Sequence, residues 1–191
     1  MEAEAILRIM VATISLILSG IVLIEYQTTR RRYPTLKVWG VFLLLLGVAQ
    51  LAAYPTKPYV ELTPVIPREV ARFIEIVTSS ICEGLFLLGA LMIITEKKEY
   101  YAVPAILTAL ILLTRLMNKI FISNVFSSIT AALVTGIFLY GYKIVRSTKA
   151  ILMAVAAILW SSGVIILMIN LIPGLSIISL GLLVLGYAIL M

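Results

Sequence analysis

REVARFIEIVTSSICEGLFLLGALMIIT, residues 68–95, is long and apolar enough to cross a bilayer, yet it carries Arg72, Glu75 and Glu83. At 100° per residue, Arg72, Glu75, Ser79, Cys82 and Glu83 fall within an arc of about 100°, with Leu85, Leu88 and Met92 largely elsewhere. An ionisable side chain placed in hydrocarbon costs roughly 2.5–3.5 kcal/mol on insertion scales. Such groups persist by facing protein or water. This segment therefore reads as an interior helix of a bundle, with its polar stripe forming the wet or paired interior.

The rest of the chain agrees with a membrane setting. Of its 191 residues, 62% are hydrophobic and 13% charged, and the mean hydropathy is +1.15. A soluble domain would be about 45–50% apolar and about 25% charged. The expected class is an all-α integral membrane protein, multi-pass in the cell membrane. The net charge of +6 then concerns topology and lipid headgroups. A nucleic-acid partner would call for more basic surface and a soluble module. There is no His and no Asp, and Cys82 is the sole cysteine. This excludes a disulfide within the chain and a Cys/His metal centre, and no cofactor is expected. The first apolar segment has no small-residue cleavage motif and is followed by further apolar segments, so it reads as a retained helix.

Seven crossings are expected, over residues 5–24, 38–54, 69–95, 102–117, 125–142, 150–171 and 175–191, within one transmembrane domain covering 1–191. In the first, Arg8, Ala12, Ser15 and Ser19 recur at i, i+4, i+7 and i+11, a single helical face. Arg8 either snorkels to the near interface or pairs with Glu75 or Glu83. The second span is uniformly apolar except for Gln50. The proline-rich connector 55–67 either caps the outer mouth of the bundle or acts as a stiff spacer, and Pro67 suits the first turn of the third span. The fifth span is small and polar early, at Ser127, Ser128 and Thr130. In the sixth, Ala150/Ala154 and Ala157/Ser161 are small-xxx-small pairs that let helices approach closely, and Trp160 is either packed core or a pocket wall. The seventh has no ionisable group.

Basic residues set the orientation. Arg30, Arg31, Arg32, Lys37, Lys97, Lys98, Lys143, Arg146 and Lys149, nine of the fifteen, fall in three connectors that alternate to the same side. Excess Lys and Arg marks the cytoplasmic side, which places the N-terminus outside and the C-terminus in the cytoplasm. Arg30, Arg31, Arg32 and Lys37 beside Tyr26, Tyr33 and Trp39, and Lys143, Arg146 and Lys149 in the later connector, are expected at lipid headgroups.

With this topology Arg8, Arg72, Glu75 and Arg115 lie in the outer half and Glu83 nearer the midplane. Two readings stand. One is a structural ion-pair cluster holding the first, third and fourth spans together. The other is an outward-facing pocket with excess positive charge, lined also by Ser79, for a small anionic or polar ligand. A proton- or cation-coupled pathway through Glu83 is a third.

The residues for common triads, metal hydrolysis and intramembrane aspartyl pairs are missing. Cys82 in IVTSSICEGL, with Arg115 at the outer end of the next span, resembles the archaeosortase/exosortase family, in which a Cys before a small residue and Gly is followed by catalytic basic residues on later spans. Here Glu83 stands in place of the small residue, and Asn170 where a basic residue would close the sixth span. That resemblance implies a membrane cysteine transpeptidase. SGIVLIEY (19–26) and TGIFLYGY (135–142) echo each other, and each leads through a basic connector to a lysine. The pattern is similar to the parallel repeats of SWEET-type sugar transporters. The whole chain resembles the seven-helix membrane input domains of archaeal sensor proteins, through its outside N-terminus, short loops, early Arg-rich YP connector before Trp39 and end flush with the last span. Retinal chemistry is unsupported within that resemblance: the last span has no Lys for a Schiff base and no Asp exists as counter-ion.

The leading expectation is a non-catalytic, sensor- or receptor-like membrane module with a charged outer pocket centred on the third helix, acting through a protein partner. A small-solute or ion transporter or channel using Glu83 is the competing class. An accessory subunit docking through the small-residue faces of the last two spans is another. The cysteine transpeptidase is the fourth.

Overall fold

A computed structural model describes residues 2–29, 33–53 and 67–146, and in the segment beyond them residues 151, 152, 154–156, 158, 159 and 162. The described residues are helical, without a strand. Helices α1 (Glu2–Thr28), α2 (Pro34–Ala53), α3 (Arg68–Ile94), α4 (Ala102–Leu116) and α5 (Ile120–Val145) follow in order, with a short 3-10 turn at Lys98–Tyr101. Five helices are long and apolar enough to cross a membrane: Arg8–Thr28, Pro34–Ala53, Arg68–Ile94, Lys98–Leu116 and Ile120–Ile144. They contain most of the first five expected spans. Of the sixth, only helical residues between 151 and 162 are described, and the seventh lies outside the described residues, as do Arg30, Arg31, Arg32, Lys149, Trp160 and nearly all of the proline-rich connector.

The helices overrun their apolar cores because a helix satisfies its backbone internally and need not stop where hydrocarbon does. Pro34 opens α2 at the first helical position, where its missing N–H is no loss. The carbonyl of Pro67 accepts the first backbone bond of α3, from Ala71 N at 3.0 Å. At the end of α1 the hydroxyls of Thr28 and Thr29 donate to the carbonyl of Glu25 at 2.9 and 2.8 Å, covering a terminal acceptor.

Residues 1–89 form one compact unit and 90–191 a second. In the first, α1 and α2 form an antiparallel hairpin. Its contact face on α1 is small and polar: Ala12, Ser15 and Ser19 are buried, while Ile6, Met10, Ile17, Ile21 and Ile24 are exposed. Bulky apolar groups suit lipid, and small ones let two backbones approach. On α2 the approach depends on glycine. A Cβ at Gly47 would lie 2.7 Å from Leu16 Cγ and 3.2 Å from the carbonyl oxygen of Ala12. Ser19 Oγ donates to the carbonyl of Gly40 at 2.8 Å. The face of α1 read from the i, i+4, i+7, i+11 spacing is thus a helix-packing face.

Helix α2 meets α3 through aromatics. Phe42 stacks on Phe86 (centroids 5.1 Å, interplanar angle 19°), and Trp39 meets both edge-on at 5.6 and 5.4 Å. Gly89 leaves room for the indole, which a Cβ there would approach to 3.0 Å. Cys82 Sγ donates to the carbonyl of Phe42 at 3.4 Å.

In the second unit, α4 turns into α5 at Met117, Asn118 and Lys119. Asn118 has φ 55°, the left-handed region. Its N–H bonds the carbonyl of Arg115 at 3.0 Å, and the N–H of Lys119 bonds that of Thr114 at 2.8 Å. This is the paired closure of a Schellman motif, with Asn in the position glycine most often takes. Asn118→Val is expected to lower the melting stability by about 1 kcal/mol, because a β-branched residue resists positive φ. Asn118→Gly, which accepts positive φ, should lower it less. Thermal unfolding in detergent checks both.

Candidate functional site

Each polar residue of the first unit has a place set by helix period and register. On α2, Gly40 and Gly47 face α1, whereas Trp39 and Phe42 face α3. At 100° per residue Gln50 falls between those two sides, on the seam. Arg8 reaches it from α1, with Nη1 donating to Gln50 Oε1 at 3.1 Å. On α3, Glu75 precedes Cys82, Phe86 and Gly89 by 7, 11 and 14 residues, so it shares their α2-facing stripe. The two helices run antiparallel, since early Trp39 meets late Gly89. From Phe42 to Gln50 the axis advances about 12 Å, and the same advance along α3 from Cys82 and Phe86 arrives near 74–78. On helix period and rise alone, Glu75 is expected on the side of α3 that faces α2, near the level of the Arg8–Gln50 bond.

The other expected site residues divide as follows. Arg72 is exposed, close to the start of α3. Ser79 is half-buried and donates to the carbonyl of Ile76 at 3.3 Å. Its neighbours do the same: Thr78 Oγ1 donates to Ile74 O at 2.6 Å and Ser80 Oγ to Ile76 O at 2.7 Å. These back-bonds give the hydroxyls an acceptor within their own apolar helix. Glu83 is half-buried in the middle of α3, one residue past the thiol that bonds Phe42.

Arg115 belongs to the second unit. Its Nε donates to Ser123 Oγ at 3.1 Å and its Nη2 to Ser127 Oγ at 3.3 Å. Ser123, Ser127 and Thr130 are buried along one face of α5, and Thr130 returns its hydroxyl to the carbonyl of Phe126 at 3.0 Å. The Schellman turn brings Arg115 over this face. Of the expected headgroup residues, Lys37, Lys143 and Arg146 are described, and all three are exposed.

Four participants lay outside the expected set: Gln50, Ser123, Ser127 and Ser15. Gln50 was visible as the lone polar residue of an apolar span, but periodicity within one helix does not name its neighbour. Ser123 partners Arg115 from across a turn. Ser15, on the packing face of α1, is 0% exposed, and its hydroxyl makes no hydrogen bond.

The chain matches no protein-family model, and neither a curated protein nor a solved structure is significantly similar to it.

Proposed function

We propose that the chain is a seven-crossing protein of the cell membrane, N-terminus outside and C-terminus in the cytoplasm, and that it is a non-catalytic sensor- or receptor-like module acting through a protein partner. The observation carrying this reading is the 3.1 Å bond from Arg8 to Gln50, inside the first unit. Ionisable groups in membrane helices are retained where they pair, bind or conduct. Arg8 and Arg72 bring guanidinium groups to the outer ends of α1 and α3, which suits a small anionic or polar ligand. The basic connectors support the orientation, and exposed Lys37, Lys97, Lys98, Lys143 and Arg146 suit lipid headgroups.

The test is thermal unfolding of the full chain in maltoside detergent against phosphate, sulfate and small mono- and dicarboxylates. A ligand-dependent rise in Tm is expected, and it should disappear in Arg72→Ala and in Glu75→Ala. No rise with any of these anions, with the variants merely less stable, would reduce the cluster to a structural one. Solute flux in proteoliposomes that Glu83→Gln abolishes would assign the chain to transport instead.

A further inference from the structure

We infer that the turn between α4 and α5 is an interfacial docking site for an anionic phospholipid, with Lys119 on the lipid phosphate and Leu116, Met117, Ile120 and Phe121 against its acyl chains. The inference holds for either orientation of the chain and does not depend on the receptor reading. Three observations carry it.

First, the turn is apolar on its outside. Lys98–Leu116 and Ile120–Ile144 are each long and apolar enough to cross a membrane, so the three residues joining them lie where the hairpin reaches a membrane face. Leu116, Met117, Ile120 and Phe121 flank this turn and are exposed. Phe121, at 78%, is the most exposed large apolar side chain among the described residues. Standing in water, these groups would make a wetted apolar patch of the kind that marks an interaction site. At the boundary of headgroups and acyl chains, Phe, Leu and Ile are at home.

Second, the backbone of the turn is prepared for that depth. The N–H of Met117 bonds the carbonyl of Leu113 at 3.0 Å, while those of Asn118 and Lys119 close on Arg115 and Thr114. Each N–H through the turn therefore has an acceptor inside the hairpin, as backbone needs where water is scarce.

Third, the charge here has one sign. The acids of the second unit, Glu96 and Glu99, both precede α4, and no acid follows Glu99 in the chain. Arg115 is engaged by Ser123 and Ser127 on the face of α5, and Lys119 is the exposed cation of the turn. Its long stem can lie along the apolar flank while the ammonium reaches the phosphate level. A lipid of net negative charge fits better than a zwitterionic one, whose own cation already neutralises its phosphate. A second copy fits less well, since a two-fold contact of identical turns would set Lys119 against Lys119.

The experiment uses the full chain with Cys82→Ala and Ile120→Cys, bimane-labelled at position 120, in liposomes of equal phosphatidylglycerol and phosphatidylcholine. A nitroxide near the headgroup is carried on the acyl chain of one lipid or of the other, and bimane quenching reads which lipid sits at the turn. The phosphatidylglycerol-borne nitroxide is expected to quench more, at about a 5-fold preference, the worth of one Lys at an anionic surface. Lys119→Gln should abolish the preference and Lys119→Arg should keep it. A label at Ile129→Cys, exposed deeper along α5, should show no preference, and its unchanged quenching in Lys119→Gln confirms that this variant is folded. Equal quenching by the two lipids at position 120 would overturn the site, as would a preference that survives Lys119→Gln. Quenching by aqueous iodide with none from either lipid would place the turn in water and overturn the docking. Protection from iodide and from both lipids would show that protein covers the turn, and would overturn it equally.

Discussion

Phe86→Ala should lower unfolding stability by roughly 3 kcal/mol, the largest loss expected of any single substitution in the first unit. Phe86 is 5% exposed and stands between two rings, stacked on Phe42 at 5.1 Å and edge-on to Trp39 at 5.4 Å. Truncation removes both aromatic pairs, each worth about 0.5–1.5 kcal/mol beyond area burial. It also leaves a cavity that neighbouring helices fill only in part. The figure is placed at the low end of the range for soluble cores, because lipid is as apolar as a helix interior and the transfer component is small. What remains is lost contact and lost pair geometry. Phe86→Leu, which keeps volume, should cost less than half as much. Unfolding by SDS titration from mixed micelles measures both, and a Phe86→Ala loss below about 1 kcal/mol would show that ring packing does not fasten α3 to α2.

Gln50→Leu is the second large effect. It removes an acceptor from Arg8, whose guanidinium bonds Gln50 Oε1 at 3.1 Å. Hydrogen bonds to charged groups contribute about 1.5–3 kcal/mol, and leaving one partner behind costs more than removing both. Polar bonds inside membranes have measured smaller, about 0.6 kcal/mol on average. Arg8 also lies near enough to the helix end for its stem to turn outward. The lower part of the charged range, about 1.5 kcal/mol, is the expected loss. Adding Arg8→Met to Gln50→Leu should recover most of it, since an apolar pair then replaces a polar one. Failure of the second substitution to restore stability would mean that Gln50 supports something other than Arg8.

Much of this organisation can be read from residues in order. The apolar runs locate five helices, and Arg8, Ala12, Ser15 and Ser19 at helical spacing identify the inner face of α1. The polar arc of α3 likewise follows from angle alone. What sequence spacing does not hold is adjacency. Gln50 looks like an isolated blemish in an apolar span until Gly40, Gly47, Trp39 and Phe42 reveal that two different helices meet α2 on either side of it. Arg115 carries no sign that its acceptors are Ser123 and Ser127. That contact depends on a left-handed Asn118, whose tolerance for positive φ is visible only as a tendency. Hydropathy reports where hydrocarbon ends, whereas α2 and α5 begin earlier in the chain, at Pro34 and Ile120. The unmet hydroxyl of Ser15 is invisible in a sequence, since satisfaction is a property of neighbours.

The central claim is that the acid of α3 faces the Arg8–Gln50 bond rather than lipid, and paired cysteines test it most directly. In a Cys82→Ala background reconstituted in liposomes, Gln50→Cys with Glu75→Cys should cross-link under mild oxidation. Gln50→Cys with Phe73→Cys should not, because Phe73 is an exposed residue on another side of α3. Phe42→Cys with Phe86→Cys, at a contact already established, serves as the positive control. Cross-linking at 50/73 in place of 50/75, with the control intact, would turn Glu75 out toward the bilayer and remove the polar layer on which the functional reading stands.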